Sequence, residues 1–193
     1  MGLFDRLFGG RFTAPPPDET DVSDDEILRE LKPRPSPAQR KAMKALLEVL
    51  LARTPDDERQ RLIRRVDRRF DRQDGAEDAL SVGLLDSARG QKPDHWTLLR
   101  FDWRGFDGFE YLAPIAVKTS GILETFSYSH AGELSMPEVL SEFDAWLALH
   151  GRRYVHIDSG GDEYQGTIVP AEEVEEVIRL ASVAGLRCGL ECF

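Results

Sequence analysis

Two runs of alternating polar and apolar residues, separated by two adjacent glycines, constrain the fold of this chain more than any other feature. They lie in the stretch YVHIDSGGDEYQGTIVP, residues 154–170. A period of two is typical of β-strands that bury one face, and a Gly-Gly pair accepts the positive φ angles of a two-residue hairpin turn. The stretch therefore predicts a β-hairpin that turns at Gly160 and Gly161, with His156 opposite Gln165.

The two faces of this hairpin are expected to differ. In the predicted register one face is polar and the other carries Val155 and Ile157. A sheet of this kind is covered by helices on its apolar face and is open to solvent on the other. We therefore expect a polar, open sheet face that continues into an acidic turn. The candidate binding residues on it are Tyr154, His156, Asp158, Asp162, Glu163 and Gln165.

The order of helical and strand patterns from Ile122 onward predicts the fold class. The pattern is strand, helix, strand, strand, helix, strand, which is the β-α-β-β-α-β order of ferredoxin-like folds. Its first strand is ILETFSYS, and the segment from His95 to Gly121 adds one further β-α unit. We therefore expect an α+β fold, with a ferredoxin-like sheet extended by one β-α unit and preceded by an N-terminal helical region.

Helix start signals define the organisation before the sheet. Residues 1–22 combine a short amphipathic segment with a proline-rich linker, and residues 23–90 form the helical region. Within that region, helices are predicted to start at Ser23, Ser36 and Thr54, since serine and threonine are preferred N-caps. The remainder, residues 91–193, is the α+β sheet domain, in which a further helix starts at Ser135.

The charge of the chain favours some partners over others. The net charge is -10, and the excess of acid lies from Glu77 onward. Such a surface repels phosphate backbones, so we expect no nucleic-acid partner and regard a basic protein as the compatible one. Four arginines of one predicted helix form a stripe that aspartates interrupt, so we interpret it as a solvated face or as a surface that docks on the acidic half of the chain: Arg61, Arg65, Arg68 and Arg72.

Apolar runs and cysteines predict the compartment. No apolar run approaches the length of a membrane span, so membrane contact would be limited to the weak N-terminal amphipathic segment. The chain has 2 cysteines, too few for a disulfide scaffold. We therefore expect a cytoplasmic protein.

The acidic turn and His156 carry the strongest chemistry in the sequence. Asp158, Asp162 and Glu163 are close enough together to hold a divalent cation, although their spacing is not that of a calcium loop. His156 is a candidate general base without a positioned acid or nucleophile. No hydrolase, phosphate-binding or dinucleotide-binding motif is present. We assign no catalytic residue and no cofactor.

Several stretches together resemble a family of bacterial domains of unknown function: LLRFDW, FEYLAPIA, LSEFDAWLALHGRRYVHIDSGGDEY and GTIVP. The resemblance covers roughly the last 110 residues and leaves out the N-terminal helices. It implies an α+β fold and a bacterial origin, and it implies no activity and no site residues.

Two functions are compatible with these observations. The first is a non-catalytic, acidic interaction or regulatory domain that binds another protein through the open sheet face or the acidic hairpin. The alternative is a small-ligand or metal-dependent enzyme that uses the acidic hairpin and His156. The first predicts a shallow surface and the second a concave pocket that holds these side chains.

Overall fold

Six helices and four strands make up the described part of the chain, which in this computed structural model comprises residues 34–72, 75–102, 104–127 and 134–193. The N-terminal amphipathic segment and the helix predicted at Ser23 lie outside these residues. The helices are α1 Pro37–Leu50, α2 Asp56–Asp71, α3 Ala76–Leu85, α4 Phe106–Thr119, α5 Met136–Leu149 and α6 Val174–Ala184. The strands are β1 Leu98–Asp102, β2 Arg152–Ile157, β3 Glu163–Pro170 and β4 Cys188–Gly189.

Capping residues start two of the helices as the sequence predicts. Ser36 caps α1, where its backbone N–H donates to Gln39 Oε1 at 2.8 Å and its hydroxyl accepts from the Gln39 backbone N–H. Ser135 and Glu138 form the equivalent capping box at the start of α5. The predicted cap at Thr54 is wrong, because α2 starts after Pro55 without a side-chain cap.

The sheet is antiparallel throughout, with the strand order β1-β3-β2-β4. The expected α+β class is confirmed, whereas the ferredoxin-like topology is not. That topology needs a strand at the start of ILETFSYS, and the described residues 122–127 of this stretch form no strand. The place beside β3 that this strand would occupy is taken by β1, the strand of the additional β-α unit.

The hairpin forms, but its predicted register is wrong by one residue. His156 pairs with Gly166 instead of Gln165, and Tyr154 pairs with Ile168. The connection between the strands is therefore five residues long, Asp158–Asp162, instead of the two-residue Gly-Gly turn. A shift of one residue moves the side chains of one strand to the opposite face relative to its partner, so Tyr154 and His156 no longer share a face with Gln165.

Helices cover both faces of the sheet, and the expected open polar face is wrong. On one face Val155, Ile157 and Val169 share a core with α1, α2, α3 and α6. On the other face Tyr154 and Ile168 share a second core with α4 and α5. The helices predicted as an N-terminal region thus contribute directly to burying the sheet, and residues 34–193 form one compact unit.

Arginines of α2 hold the segment between α3 and β1. Arg61 donates to the backbone oxygens of Arg89 and Gly90, at 2.6 Å each. Arg65 forms an ion pair with Asp86 at 3.0 Å. Of the interpretations of the arginine stripe, docking onto the acidic half is therefore confirmed for these two residues.

None of the helices within the described residues combines the length and the apolar character that crossing a bilayer requires.

Candidate functional site

The loop Asp158–Asp162 at the end of the hairpin is where the predicted site residues come nearest to the surface. One oxygen of Asp158 accepts from the Gly160 backbone N–H at 2.9 Å, and the Ser159 hydroxyl donates to the backbone oxygen of Glu163 at 2.7 Å. Only Gly160 of the two glycines has a positive φ angle, 68°. The side chains of Asp158 and Ser159 therefore fix the loop together with one glycine.

The six predicted site residues divide into a buried and a surface group. Tyr154, His156 and Gln165 are buried, with exposed fractions of 0%, 5% and 2%. Asp162 and Glu163 are exposed, and Asp158 is half-buried. The two groups do not form one binding surface, so Tyr154, His156 and Gln165 are corrected from surface residues to interior residues.

Arginines hold two of the three carboxylates that the sequence offers as metal ligands. Glu163 accepts from Arg100 Nε at 2.6 Å and is also paired with the Nη2 of that side chain. Asp158 pairs with Arg187 at 3.4 Å. Within the described ranges, no three or more histidine, cysteine or acidic side chains come together as a metal site. The geometry thus gives the metal alternative no support.

His156 is a neutral side chain inside the second core. Its ring contacts the ring of Tyr154 edge-on, with 4.8 Å between the centroids. Burial lowers the pKa of His156 to about 4, against a smaller opposing effect of Asp144. A base with so low a pKa is a weak proton acceptor at neutral pH. The role of a general base that the sequence offered for His156 is therefore not supported.

Burial also favours the neutral forms of the two cysteine thiols and of the Tyr154 hydroxyl. Burial raises the pKa of the Cys188 thiol to about 12, with a further contribution from the charge of Asp158. Burial also raises the pKa of Cys192 and that of the Tyr154 hydroxyl. Since the thiolate is the reactive form of cysteine, neither thiol is an activated nucleophile.

A buried polar network connects the hairpin to α3. The Ser81 hydroxyl lies 2.6 Å from Glu77 Oε1 and 2.7 Å from the side-chain amide of Gln165. Because a hydroxyl has one proton, Ser81 donates at any one time to one of these two acceptors, Glu77 Oε1 or Gln165 Oε1. Arg100 Nη1 lies 3.6 Å from Glu77 Oε1, and the same guanidinium pairs with Glu163. Arg100 thus extends the network to Glu163. Gln165 is therefore a structural residue.

An open groove lies outside this network, beside the hairpin loop. It has a volume of about 320 Å³ and is lined by Gly161, Asp162, Glu163, Tyr164 and Phe193; we call it the hairpin groove. Phe193 is 47% exposed. A smaller cleft of about 40 Å³ next to it reaches inward to His156. The hairpin groove places two aromatic rings beside two carboxylates.

Three residues of this region, Arg187, Tyr164 and Phe193, are not among the predicted site residues. Arg187 lies over the ring of Phe193, with 4.5 Å between its Cζ and the ring centroid, and also reaches Asp158. In the predicted register Tyr164 lies opposite Ile157 on the apolar face, so its side chain is expected to be buried. The charge of Arg187, at the start of a predicted strand, was a weak signal for a role beside the acidic turn, and Phe193 offered no signal.

The fold and the site define a class of protein, an α+β domain whose four-stranded antiparallel sheet is covered on both faces. The family comparison is more specific. Residues 26–191 match the model of the family described as domain of unknown function DUF6630, and the chain belongs to this family. The match extends the expected resemblance beyond roughly the last 110 residues, because it includes α1, α2 and α3. No curated protein and no solved structure matches the chain.

Proposed function

We propose that this protein is a non-catalytic interaction domain and that the hairpin groove binds a basic side chain of a protein partner. One observation carries the proposal: the groove places the exposed ring of Phe193 and the ring of Tyr164 beside the carboxylates of Asp162 and Glu163. Aromatic rings beside carboxylates suit a lysine or arginine side chain. Its hydrocarbon stem packs on apolar surface, and its charged end binds carboxylates or lies over aromatic rings.

The protein already uses this chemistry within its own chain. The guanidinium of Arg187 lies over the Phe193 ring and near Asp158. An arginine of a partner would repeat the arrangement on the groove side of the same ring, with Asp162 as its carboxylate. Among the described residues, Asp162 has no hydrogen-bond or ion-pair partner of its own, whereas Glu163 is shared with Arg100. Asp162 is therefore the carboxylate available to a partner.

The charge of the whole chain supports the same partner. A net charge of -10 attracts a basic protein over long distances and accelerates its association at low ionic strength. The hairpin groove includes Asp162 and Glu163 of the predicted acidic hairpin. The predicted sheet face is not available to a partner, because Tyr154, His156 and Gln165 are buried.

The proposal is tested by NMR titration with a blocked peptide, Gly-Arg-Leu-Arg-Gly, and with the same peptide carrying glutamine in place of both arginines. We expect chemical-shift changes to concentrate at residues 161–164 and at Phe193, with the arginine peptide only. In Asp162→Lys the affinity should fall about tenfold, which corresponds to about 1.4 kcal/mol.

The matched control is Glu175→Lys, which makes the same change of charge on the exposed surface of α6, at the opposite end of the sheet. This substitution should lower the affinity for the arginine peptide less than about threefold, because it acts through long-range electrostatic interaction alone. An equal loss in both variants, or shift changes scattered over the acidic surface, would show that the groove is not the binding site.

A further inference from the structure

A second pocket lies at the opposite end of the sheet from the hairpin, with a volume of about 80 Å³. It is formed where α1 and α4 end, where β2 begins and where β3 ends. Residues with polar groups in its lining are Arg53, Trp96, Thr97, Thr119, Ser120, Arg152 and Glu173. We call it the arginine pocket. No feature of the sequence analysis pointed to it, because its residues are far apart along the chain.

The two arginines of the pocket meet at the C-terminal end of α4. Arg152 Nε donates to the backbone oxygen of Ser120 at 3.4 Å. The guanidinium of Arg53 packs against Gly121, whose φ of +87° is unfavourable for other residues and where a Cβ would lie 2.9 Å from Arg53 Cζ. Helix C-termini favour cations, so the end of α4 brings two positive side chains into one pocket.

Neither guanidinium is neutralised by a carboxylate within the described residues. Arg53 and Arg152 form no ion pair there, and Glu173 is the one acidic side chain among the residues that line the pocket. Two positive charges against one negative charge leave the lining with a balance of +1. Most of the N–H donors of both guanidinium groups are therefore available to a ligand.

Two uncharged side chains add further hydrogen-bond donors to the pocket. The Thr97 hydroxyl is buried, with a residue exposure of 7%, and has no hydrogen-bond partner among the described residues. The indole Nε1 of Trp96 is in the same situation. Because a buried polar group without a hydrogen-bond partner is unfavourable, a ligand that accepts hydrogen bonds from Thr97 and Trp96 would be stabilised.

The opposite wall of the pocket is apolar and limits the ligand. It includes Leu50, Ala116 and Ile168. A single water molecule, which is about the size of one non-hydrogen atom of a ligand, needs about 10–15 Å³. The pocket volume of about 80 Å³ therefore admits a ligand of roughly six non-hydrogen atoms. A planar carboxylate matches the fork of an arginine guanidinium, and a short hydrocarbon chain matches the wall.

We propose that the arginine pocket binds a short-chain carboxylate, with its carboxylate on Arg53 and Arg152 and its hydrocarbon chain against Leu50 and Ile168. Thr97 and Trp96 donate the remaining hydrogen bonds to the carboxylate oxygens. This site is independent of the hairpin groove, so either proposal can fail without the other.

The test is a titration of the full chain with butyrate, monitored by calorimetry and by the indole N–H resonance of Trp96. We expect saturable binding that shifts the Trp96 resonance and leaves that of Trp146, which does not line the pocket, unchanged. Butyramide, which has the same shape without the charge, should not bind. In Arg152→Met the affinity for butyrate should fall at least about tenfold, the effect of losing one charge-assisted bidentate contact.

The control variant is Arg187→Met, which removes an arginine at the other end of the sheet and should leave butyrate binding unchanged. Arg152→Lys keeps the charge without the fork and should bind with intermediate affinity, which separates loss of binding from loss of the fold. Absence of saturable butyrate binding, or equal affinity in Arg152→Met, would overturn the site. Tighter binding of inorganic phosphate than of butyrate would overturn the assignment of a carboxylate ligand.

Discussion

Gly166 lies in β3 under the side chain of Tyr154, and this contact fixes how closely the ring approaches the sheet. A Cβ at position 166 would lie 2.5 Å from Tyr154 Oη and 2.8 Å from Cε1. The ring cannot move away easily, because it is fully buried and contacts Phe143 at a centroid distance of 5.7 Å. The absence of a side chain at Gly166 therefore allows a large aromatic residue to pack across the neighbouring strand.

Gly166→Ala should lower the free energy of unfolding by about 1–3 kcal/mol, the usual cost of adding atoms to a well-packed core. Urea denaturation measures the change. Gly161→Ala is the matched control, because a Cβ at position 161 meets no atom within 4 Å and the φ angle there is not positive. It should change stability by less than about 0.5 kcal/mol. Equal effects of the two substitutions would contradict the packing described for Tyr154.

At the residue scale, the sequence predicted the chemistry of the hairpin loop better than the placement of the side chains in the strands. Asp162 and Glu163 lie at the surface as predicted, since charged side chains are rarely buried. His156 and Gln165 are buried, because polar side chains enter a core when burial keeps them neutral or when hydrogen bonds satisfy them. The alternation of polar and apolar residues along one strand does not show whether a polar side chain is buried in this way or exposed to solvent.

At the scale of the elements, Arg61 attaches helix α2 to the segment that precedes β1. Arg61 pairs with Glu58, whose side chain is only 8% exposed, and donates to two backbone oxygens of that segment. The hydrogen bond from Arg61 is the main cause of the lowered pKa of Glu58. Without Arg61, the carboxylate would keep only the contact with Lys92 at 3.8 Å.

Arg61→Met should therefore destabilise the fold by about 1.5–3 kcal/mol, the usual range for hydrogen bonds to a charged group. The measurement is chemical denaturation at neutral pH. Arg68→Met, on the same helix, is the control, since Arg68 is exposed and donates only to the Arg64 backbone oxygen. Its effect should stay within about 0.5 kcal/mol. A similar loss in both variants would indicate that the whole stripe, and not the contact with the segment before β1, stabilises α2.

Local signals predicted the helices well and the strand connections poorly. Ser36 and Ser135 start helices because capping depends on a few adjacent residues. The hairpin register depends on the loop, where the Asp158 and Ser159 side chains bond to the backbone and lengthen the turn. Residues 122–127 have the composition of a strand, but strand formation also needs a partner, and β1 already occupies the edge of β3.

At the scale of the whole molecule, helices on both faces of the sheet remove the predicted open sheet face as a binding surface. The sequence predicted a sheet with one open face because the helices before residue 90 were assigned to a region of their own, and α1, α2 and α3 in fact cover that sheet together with α6. Long-range packing of this kind leaves no local signal. The hairpin groove and the arginine pocket, which we propose as sites for a partner and for a ligand, lie at opposite ends of the sheet.

The protonation of His156, followed by NMR through its imidazole carbon-bound protons, tests this architecture most directly. If α4, α5 and β2 bury the side chain as described, the imidazole should stay neutral until the pH falls to about 4. Half-protonation near the ordinary value of 6.5 would contradict the burial of this face of the sheet.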